Sequence, residues 1–356
     1  MENKENFHSL NALRFFSFFI VFLSHLPYSL FGKLEFLQIE GALGVYFFFI
    51  LSGFLITYIL LNQKVMNFKK FFARRVLRIW PMYFLIILFA FLSSFIIGFL
   101  KLSSSNVGYE PNWLMSCLFL ENYKIIYHGD YGNVSPLPVL WSVCIEEHFY
   151  IIWGLLIVFI NKKKIMQTII AVIIISFVSK YFFYQNNLLF KDILTNFDYF
   201  MYGAIVAYLF TYKKEKTISF INNLPKIIKA IVILMSIIYI FTFHYISFQY
   251  DALVLSIITG VLFTSVLMIF LPQENNTFKI SSNAIFSKLG LYTYSLYLNH
   301  AIIISLLIQV FKKMNLDFKN YYLLFIILSL VATILASKIT YNLIEKPFLN
   351  MKKKFA

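Results

Sequence analysis

Long apolar segments separated by short polar ones dominate this sequence. Ten segments are long enough to cross a bilayer, which takes about 17–25 residues each. They cover residues 9–30, 41–61, 79–100, 139–160, 165–184, 190–211, 227–246, 250–271, 289–311 and 321–341. Continuous apolar runs favour helices over a transmembrane β-barrel, whose strands alternate apolar and polar residues. The pattern therefore predicts an all-α polytopic membrane protein with about ten transmembrane helices.

Composition supports this class of protein. Hydrophobic residues make up 60% of the 356 positions, charged residues only 13%, and the mean hydropathy is +0.76, values that ordinary soluble domains do not reach. The N-terminus has neither a basic region nor a small-residue cleavage site, so the first segment is predicted to be a retained span rather than a signal peptide. Two cysteines, Cys117 and Cys144, form no metal or redox pattern, and no disulfide is inferred.

The basic charge is explained by membrane topology. The net charge is +15, and placing both termini in the cytoplasm puts 21 of the 31 Lys and Arg residues inside and 8 outside. The positive-inside rule supports this orientation, so nucleic acid is not an expected partner. Residues 1–356 are predicted to form a single integral membrane domain. Its longer connections are a basic inner loop, 62–78, and an outer loop, 101–138, with a short apolar piece typical of a re-entrant or interfacial segment.

The first apolar segment carries two ionisable residues, Arg14 and His25. Their separation of eleven residues is close to three helical turns, so both project from nearly the same face, roughly 16 Å apart along the axis. Ionisable groups inside a span mark a functional site by default. The alternative is an arginine that snorkels to the surface and a histidine that is hydrogen-bonded inside a helix bundle.

Arginines also cluster in the basic inner loop. Arg75 and Arg78 are three residues apart and Arg74 and Arg78 four apart, which places them on one helical face. The planar guanidinium group suits bidentate binding of phosphate. Arg14 is predicted at the same membrane surface, so Arg14, Arg75 and Arg78 are expected to converge on one polyphosphate. A loop that sets topology and touches anionic lipid is the alternative.

The fourth segment contains a pair of carboxylates, Glu146 and Glu147. They lie about 10–12 Å from its predicted outer end, at a depth similar to that of His25. A carboxylate beside an imidazole suits general-base catalysis. Adjacent helical residues point about 100° apart, so one of the two glutamates is expected to face the site. The alternative is a pair of acidic side chains that favour a helix N-terminus near water.

Other residues are candidates for a supporting role. Small residues in the second segment, Gly41, Gly44, Ser52 and Gly53, predict close approach of another helix, which is a packing role before a catalytic one. His300 lies near the middle of the ninth segment, where packing is the commoner role of a single histidine. The supporting candidates are Tyr46, Ser52, Trp141 and His300. No spacing of metal ligands is present in the sequence, so no metal site is predicted.

These motifs, in this order, resemble the membrane acyltransferase family 3, the polytopic O-acyltransferases of bacterial surface glycans. The resemblance runs through LRFFSFFIVFLSH, GVYFFFILSGFLIT, FFARRVLRIWPMY, LWSVCIEEHFY, LYTYSLYLNH and NLIEKPF. It implies that Arg14 and His25 are an essential pair and that Arg75 and Arg78 are the donor-binding R-x-x-R motif. It also implies that Glu146 and Glu147 are the outer carboxylates.

Three positions depart from the family pattern. The family often has aspartate where Tyr46 stands, serine at Cys144 and glutamine at His148. Without the aspartate, the role of orienting His25, if an acid is needed for it, passes to one of the glutamates.

The sequence thus predicts an acyl-CoA-dependent O-acyltransferase of the bacterial cytoplasmic membrane. It would move an acyl group, expected to be acetyl, from cytoplasmic acyl-CoA to a hydroxyl of an extracytoplasmic polysaccharide or lipid-linked glycan, with His25 as general base or transient acyl carrier. Acyl-CoA is a substrate here, and no permanently bound cofactor is expected. The partners are acyl-CoA, the glycan acceptor and membrane lipid. A transporter or flippase for a charged lipid or glycan is the alternative, and an assembly partner of a glycan export complex is a third hypothesis.

Overall fold

The apolar segments form helices at the predicted places. A computed structural model describes residues 7–31, 38–63, 67–100, 108–272 and 276–351, and the described residues contain no β-strand. In chain order the helices are α1 (Ser9–Ser24), α2 (Gly41–Leu61), α3 (Phe68–Phe99), α4 (Trp113–Cys117), α5 (Glu121–His128), α6 (Trp141–Phe159), α7 (Ile165–Gln185), α8 (Phe197–Tyr212), α9 (Lys214–Asn223), α10 (Lys226–Thr242), α11 (Asp251–Phe270), α12 (Ile285–Leu289), α13 (Thr293–Lys313), α14 (Phe318–Thr340) and α15 (Lys346–Met351).

Eight helical segments within the described residues are long and apolar enough to cross a membrane. The helices of the first and sixth predicted segments, α1 and α8, are shorter at 16 residues each. A helix of that length spans about 24 Å, less than the roughly 30 Å hydrocarbon core. The protein is therefore an all-α polytopic membrane protein, while the cytoplasmic placement of both termini stays a prediction.

Three helix boundaries differ from the predicted segments by about six residues or more. Helix α1 ends at Ser24 instead of residue 30, because Pro27 follows closely and cannot continue a helix. Helix α3 begins at Phe68 instead of residue 79, so the arginine motif of the basic inner loop is helical. Helix α8 begins at Phe197 instead of residue 190, and Lys191 lies in the connection that precedes it.

Helix α2 lies at the centre of the bundle and packs most extensively against α8 and then α1. A Cβ atom on Gly53 would lie 2.0 Å from the carbonyl oxygen of Phe200, and one on Gly203 would lie 1.9 Å from that of Ile50. The two backbones are therefore too close for any side chain at either glycine. The close helix approach predicted from the small residues of α2 is confirmed.

A buried ion pair joins α7 to α8. The Nζ atom of Lys180 lies 2.5 Å from Oδ2 of Asp198, and both side chains are almost fully buried. The hydroxyl of Ser176 donates to the other carboxylate oxygen at 3.0 Å. Pairing of this kind lowers the cost of burying charges inside a membrane bundle, which explains how these helices carry charges within apolar segments.

The long connection between α3 and α6 packs against the bundle. Residues 101–107 of the predicted outer loop, and residues 64–66 of the predicted basic inner loop, lie outside the described residues. Glu121 is fully buried and accepts hydrogen bonds from the hydroxyls of Tyr109 and Ser116. Trp113 and Leu114 in helix α4 and Leu118 directly after it are exposed. This short helix with an apolar exposed side fits the interfacial segment expected there.

Candidate functional site

A cavity of about 80 Å³ lies between α1, α2, α3, α6 and α13. Its polar lining, which defines what we name the arginine cavity, consists of Arg14, Ser52, Arg75, Arg78, Ser142, Glu146, Tyr150, Thr293, Tyr294 and Tyr297. The structure thus brings Arg14 together with Arg75 and Arg78, which are distant from it in sequence. It also places Glu146 among them.

Within the arginine cavity, the carboxylate of Glu146 is hydrogen-bonded, whereas the guanidinium of Arg75 keeps a donor that is unpaired in the described part of the chain. The hydroxyl of Ser52 donates to Oε1 of Glu146. The guanidinium carbon of Arg75 lies 5.4 Å from the ring centroid of Phe71 and 5.7 Å from that of Tyr150. Its Nε is buried without a hydrogen-bond partner among the described residues. An unsatisfied buried donor is costly, and an anionic ligand is the group that best satisfies it.

Glu147 points away from the arginine cavity. Its side chain is buried, Oε2 accepts a hydrogen bond from the indole nitrogen of Trp80 at 3.4 Å, and Oε1 is unpaired within the described part of the chain. Adjacent residues on a helix face different directions. Glu146 alone of the two glutamates lines the arginine cavity.

A second cavity, of about 300 Å³, lies at the other end of α1. Its lining, which defines the histidine pocket, consists of Val21, Ser24, His25, Gln38, Ile39, Glu40, Gly41, Ala42, Val45, Tyr131, Pro138, Val139, Trp141, Lys191 and Tyr297. His25 follows the last residue of α1 as its C-cap and is exposed. One helix therefore presents Arg14 to the arginine cavity and His25 to the histidine pocket.

A backbone carbonyl orients His25. Its Nδ1 lies 2.8 Å from the carbonyl oxygen of Val21. A carbonyl oxygen only accepts hydrogen bonds, so Nδ1 carries the proton of the neutral ring and Nε2 keeps its lone pair. Nε2 is thus the atom available as a base.

The structure shows no hydrogen bond between His25 and either glutamate among the described residues. Ser52 holds Glu146 in the arginine cavity, and Trp80 holds Glu147. In α6 it is Trp141 that lines the histidine pocket, and Glu146 lies about 7 Å further along the helix axis. The predicted first span ran to residue 30 and placed His25 and Glu146 at a similar depth. Helix α1 ends at Ser24 instead, so His25 lies at the helix end, and the two side chains line different cavities.

His300 lies against His25. The two ring centroids are 4.8 Å apart with their planes at 81°. His300 is fully buried, its Nδ1 lies 2.6 Å from the carbonyl oxygen of Tyr297, and its Nε2 has no partner in the described structure. Tyr46, by contrast, lines neither cavity and stacks on Tyr199 at a centroid distance of 4.1 Å.

Tyr297 separates the two cavities. It lines both of them, as does Val45. Its hydroxyl oxygen lies 2.6 Å from the hydroxyl oxygen of Ser142 and 3.0 Å from the carbonyl oxygen of Val139, to which it donates. Ser142 lies in the first turn of α6, and Val139 lies just before that helix. These hydrogen bonds therefore attach Tyr297 of α13 to the start of α6, at the boundary between the two cavities.

A family model described as an acyltransferase domain matches residues 7–341. The chain belongs to the membrane acyltransferase family 3. Curated relatives in this family extend the comparison. The chain is 28% identical to "Putative peptidoglycan O-acetyltransferase YrhL" of Bacillus subtilis over 95% of this chain and 54% of the relative. It is 27% identical to "Peptidoglycan O-acetyltransferase OatA" of Listeria monocytogenes over 98% of this chain and 57% of the relative.

The chain spans about half the length of these curated relatives. A protein of Staphylococcus aureus strain COL, named a putative O-acetyltransferase, is 28% identical over 86% of this chain and 52% of its own length. No solved structure matches the chain.

Several residues that line the two cavities were not among the candidates predicted from the sequence. Tyr150 follows Glu146 by four residues, a spacing that places both on one helical face. Tyr294 and Tyr297 are three residues apart in the ninth segment and share a face for the same reason. Glu40 immediately precedes the second predicted segment and Lys191 lies at the start of the sixth, and neither was a candidate. Tyr131 comes from the long connection, where no periodicity signals its position.

Proposed function

We propose that this protein is an O-acyltransferase that moves an acetyl group from cytoplasmic acyl-CoA to a hydroxyl of an extracytoplasmic glycan across the bacterial cytoplasmic membrane. Family membership supports acyl transfer, and the names of the relatives support acetyl as the acyl group and peptidoglycan as the acceptor. The observation that carries the proposal is the placement of Arg14 and His25 on one helix, each lining a different cavity, with Tyr297 between the two cavities.

The arginine cavity supplies the grip on the donor. Arg14, Arg75 and Arg78 bind phosphate oxygens of acyl-CoA, and the unpaired Nε of Arg75 is one donor available for this purpose. Guanidinium groups favour bidentate contacts with phosphate. At about 80 Å³ the cavity encloses only part of the donor, since pockets for whole ligands measure about 300–1,000 Å³. The pantetheine arm then covers the roughly 16 Å along α1 towards His25.

His25 supplies the base. Nε2 takes the proton of the acceptor hydroxyl while its oxygen attacks the thioester carbonyl, forming the ester C–O bond. The C–S bond breaks, and the CoA sulfur leaves with the proton that His25 returns. The carbonyl of Val21 holds the ring in the tautomer that this step needs. Transient acylation of His25 is the other route to the same products, and a hydroxylamine-labile label on His25 after rapid denaturation at neutral pH distinguishes it.

Purified protein in sealed vesicles tests the proposal. Radiolabelled acetyl-CoA is supplied on one side and chitotetraose, an uncharged oligomer of N-acetylglucosamine, on the other. We expect an alkali-labile acetyl ester on the glycan, abolished by His25→Ala and retained by His244→Ala, which removes an exposed histidine outside both cavities. Movement of glycan or lipid across the vesicle without hydrolysis or transfer of the label would instead support the transporter hypothesis.

A further inference from the structure

The histidine pocket combines opposite charges with aromatic side chains. Glu40 and Lys191 line it together with Tyr131, Trp141 and Tyr297. Of these residues, Trp141 alone was a candidate from the sequence. A pocket with a few convergent polar groups on an aromatic lining is typical of binding a specific small group.

Lys191 is held in place by its surroundings. Its Nζ lies 3.6 Å from the ring centroid of Trp141 and 5.9 Å from that of Tyr131. Its carbonyl oxygen accepts a hydrogen bond of 3.0 Å from the fully buried side chain of Asn122. Burial lowers the pKa of Lys191 to about 8, an effect that the negative charge of Glu40 opposes. Such a costly arrangement of a cation is more common at functional sites than elsewhere.

Glu40 is brought next to His25 by tight packing of two helix ends. It is exposed and immediately precedes α2. A Cβ atom on Gly41 would lie 2.2 Å from the hydroxyl oxygen of Ser24, the last residue of α1. The start of α2 therefore contacts the end of α1, and Glu40 and His25 both line the histidine pocket.

We infer that the histidine pocket is the acceptor subsite and binds one uncharged sugar residue of the glycan, with Glu40 and Lys191 as its specificity-determining residues. This inference rests on the proposed function. The carboxylate of Glu40 accepts hydrogen bonds from sugar hydroxyls, and the ammonium of Lys191 donates to a ring or amide oxygen. The aromatic rings contact the apolar faces of the sugar. Opposite charges in one pocket disfavour a charged sugar, because either sign of ligand meets a like charge.

The volume supports a small occupant. About 300 Å³ lies at the lower end of ordinary ligand pockets, which suits a single residue of a longer chain. The bound residue then lies beside Nε2 of His25, so one of its hydroxyls is the group acylated.

Kinetics with two substrates test the subsite. Lys191→Met and Glu40→Gln each should raise the KM for chitotetraose by about tenfold or more, since each removes a charge-assisted hydrogen bond. The KM for acetyl-CoA should change much less. Lys163→Met and Glu215→Gln remove an exposed lysine and an exposed glutamate outside the pocket and should leave both constants at the wild-type values. An unchanged acceptor KM, or an equal rise in both constants, overturns the assignment.

Binding without turnover separates this inference from the proposed function. Calorimetry of the purified protein with chitotetraose should show binding that Lys191→Met weakens, whether or not acetyl-CoA is used. If the wild type binds chitotetraose but transfers no acetyl group, the proposed function fails and the sugar subsite stands. Failure to bind any oligosaccharide overturns the subsite. Preference for acidic oligogalacturonate over chitotetraose overturns the assignment to an uncharged sugar.

Discussion

At the scale of single residues, the proposed function predicts that chemistry and donor binding are independent, because His25 is separated from the arginines along α1. We expect His25→Ala to lower turnover by about 10²–10⁴-fold, the usual contribution of a general base. The KM for acetyl-CoA should stay near wild type, because the arginine cavity is roughly 16 Å away along α1. Steady-state kinetics with varied acetyl-CoA measure both. A histidine that serves only packing would instead lower stability and donor binding together.

The arginines give a second prediction at this scale. Arg75→Ala should raise the KM for acetyl-CoA by about tenfold or more, the cost of a lost charged hydrogen bond. Arg78→Lys should restore donor binding only in part relative to Arg78→Ala, because a point charge does not reproduce a bidentate contact. Arg74 lies on the same helix outside the arginine cavity, and Arg74→Ala is the matched control. Equal effects of Arg74→Ala and Arg75→Ala would mean that the charges set topology rather than grip the donor.

At the scale of helices, the buried pair of Lys180 and Asp198 fixes α7 against α8. Lys180→Met should destabilise the protein by about 3–5 kcal/mol, because it leaves Asp198 buried and uncompensated. Adding Asp198→Asn should recover much of that loss, since the remaining charge is then removed. Thermal unfolding in detergent of the two single variants and the double variant measures this coupling. Additive losses would show that the two side chains do not interact.

At the scale of the whole molecule, the orientation in the membrane is open to a labelling test. In a variant with Cys117 and Cys144 replaced by serine, Glu110→Cys should react with an impermeant maleimide applied to intact cells, and Lys214→Cys should react only after permeabilisation. The Lys and Arg distribution predicts this orientation. Labelling of both positions from outside would contradict the topology and with it transfer from a cytoplasmic donor.

The residues also show what a sequence can and cannot predict here. Helical periodicity was enough to relate Arg14 to His25 and to separate Glu146 from Glu147, because these relations lie within one helix. Small residues predicted the close contact of α2 with its neighbours. The partner of His25 was not predictable, because it depends on where α1 ends and on how far α6 is displaced relative to it. Tyr131 and Lys191 reach the histidine pocket from connections, whose paths no repeating pattern encodes.

The position of Tyr297 has an electrical consequence. Moving one elementary charge through a membrane potential of 100 mV is worth about 2.3 kcal/mol, so an open watery route from one face to the other would short-circuit the cell. The arginine cavity and the histidine pocket would form such a route if they merged. The phenol ring of Tyr297, whose hydroxyl is hydrogen-bonded to Ser142 and Val139, lies between the two cavities and blocks such a route. Under the proposed transfer, a brief displacement of this side chain lets the acyl group on its pantetheine arm pass, and the membrane potential is kept at other times.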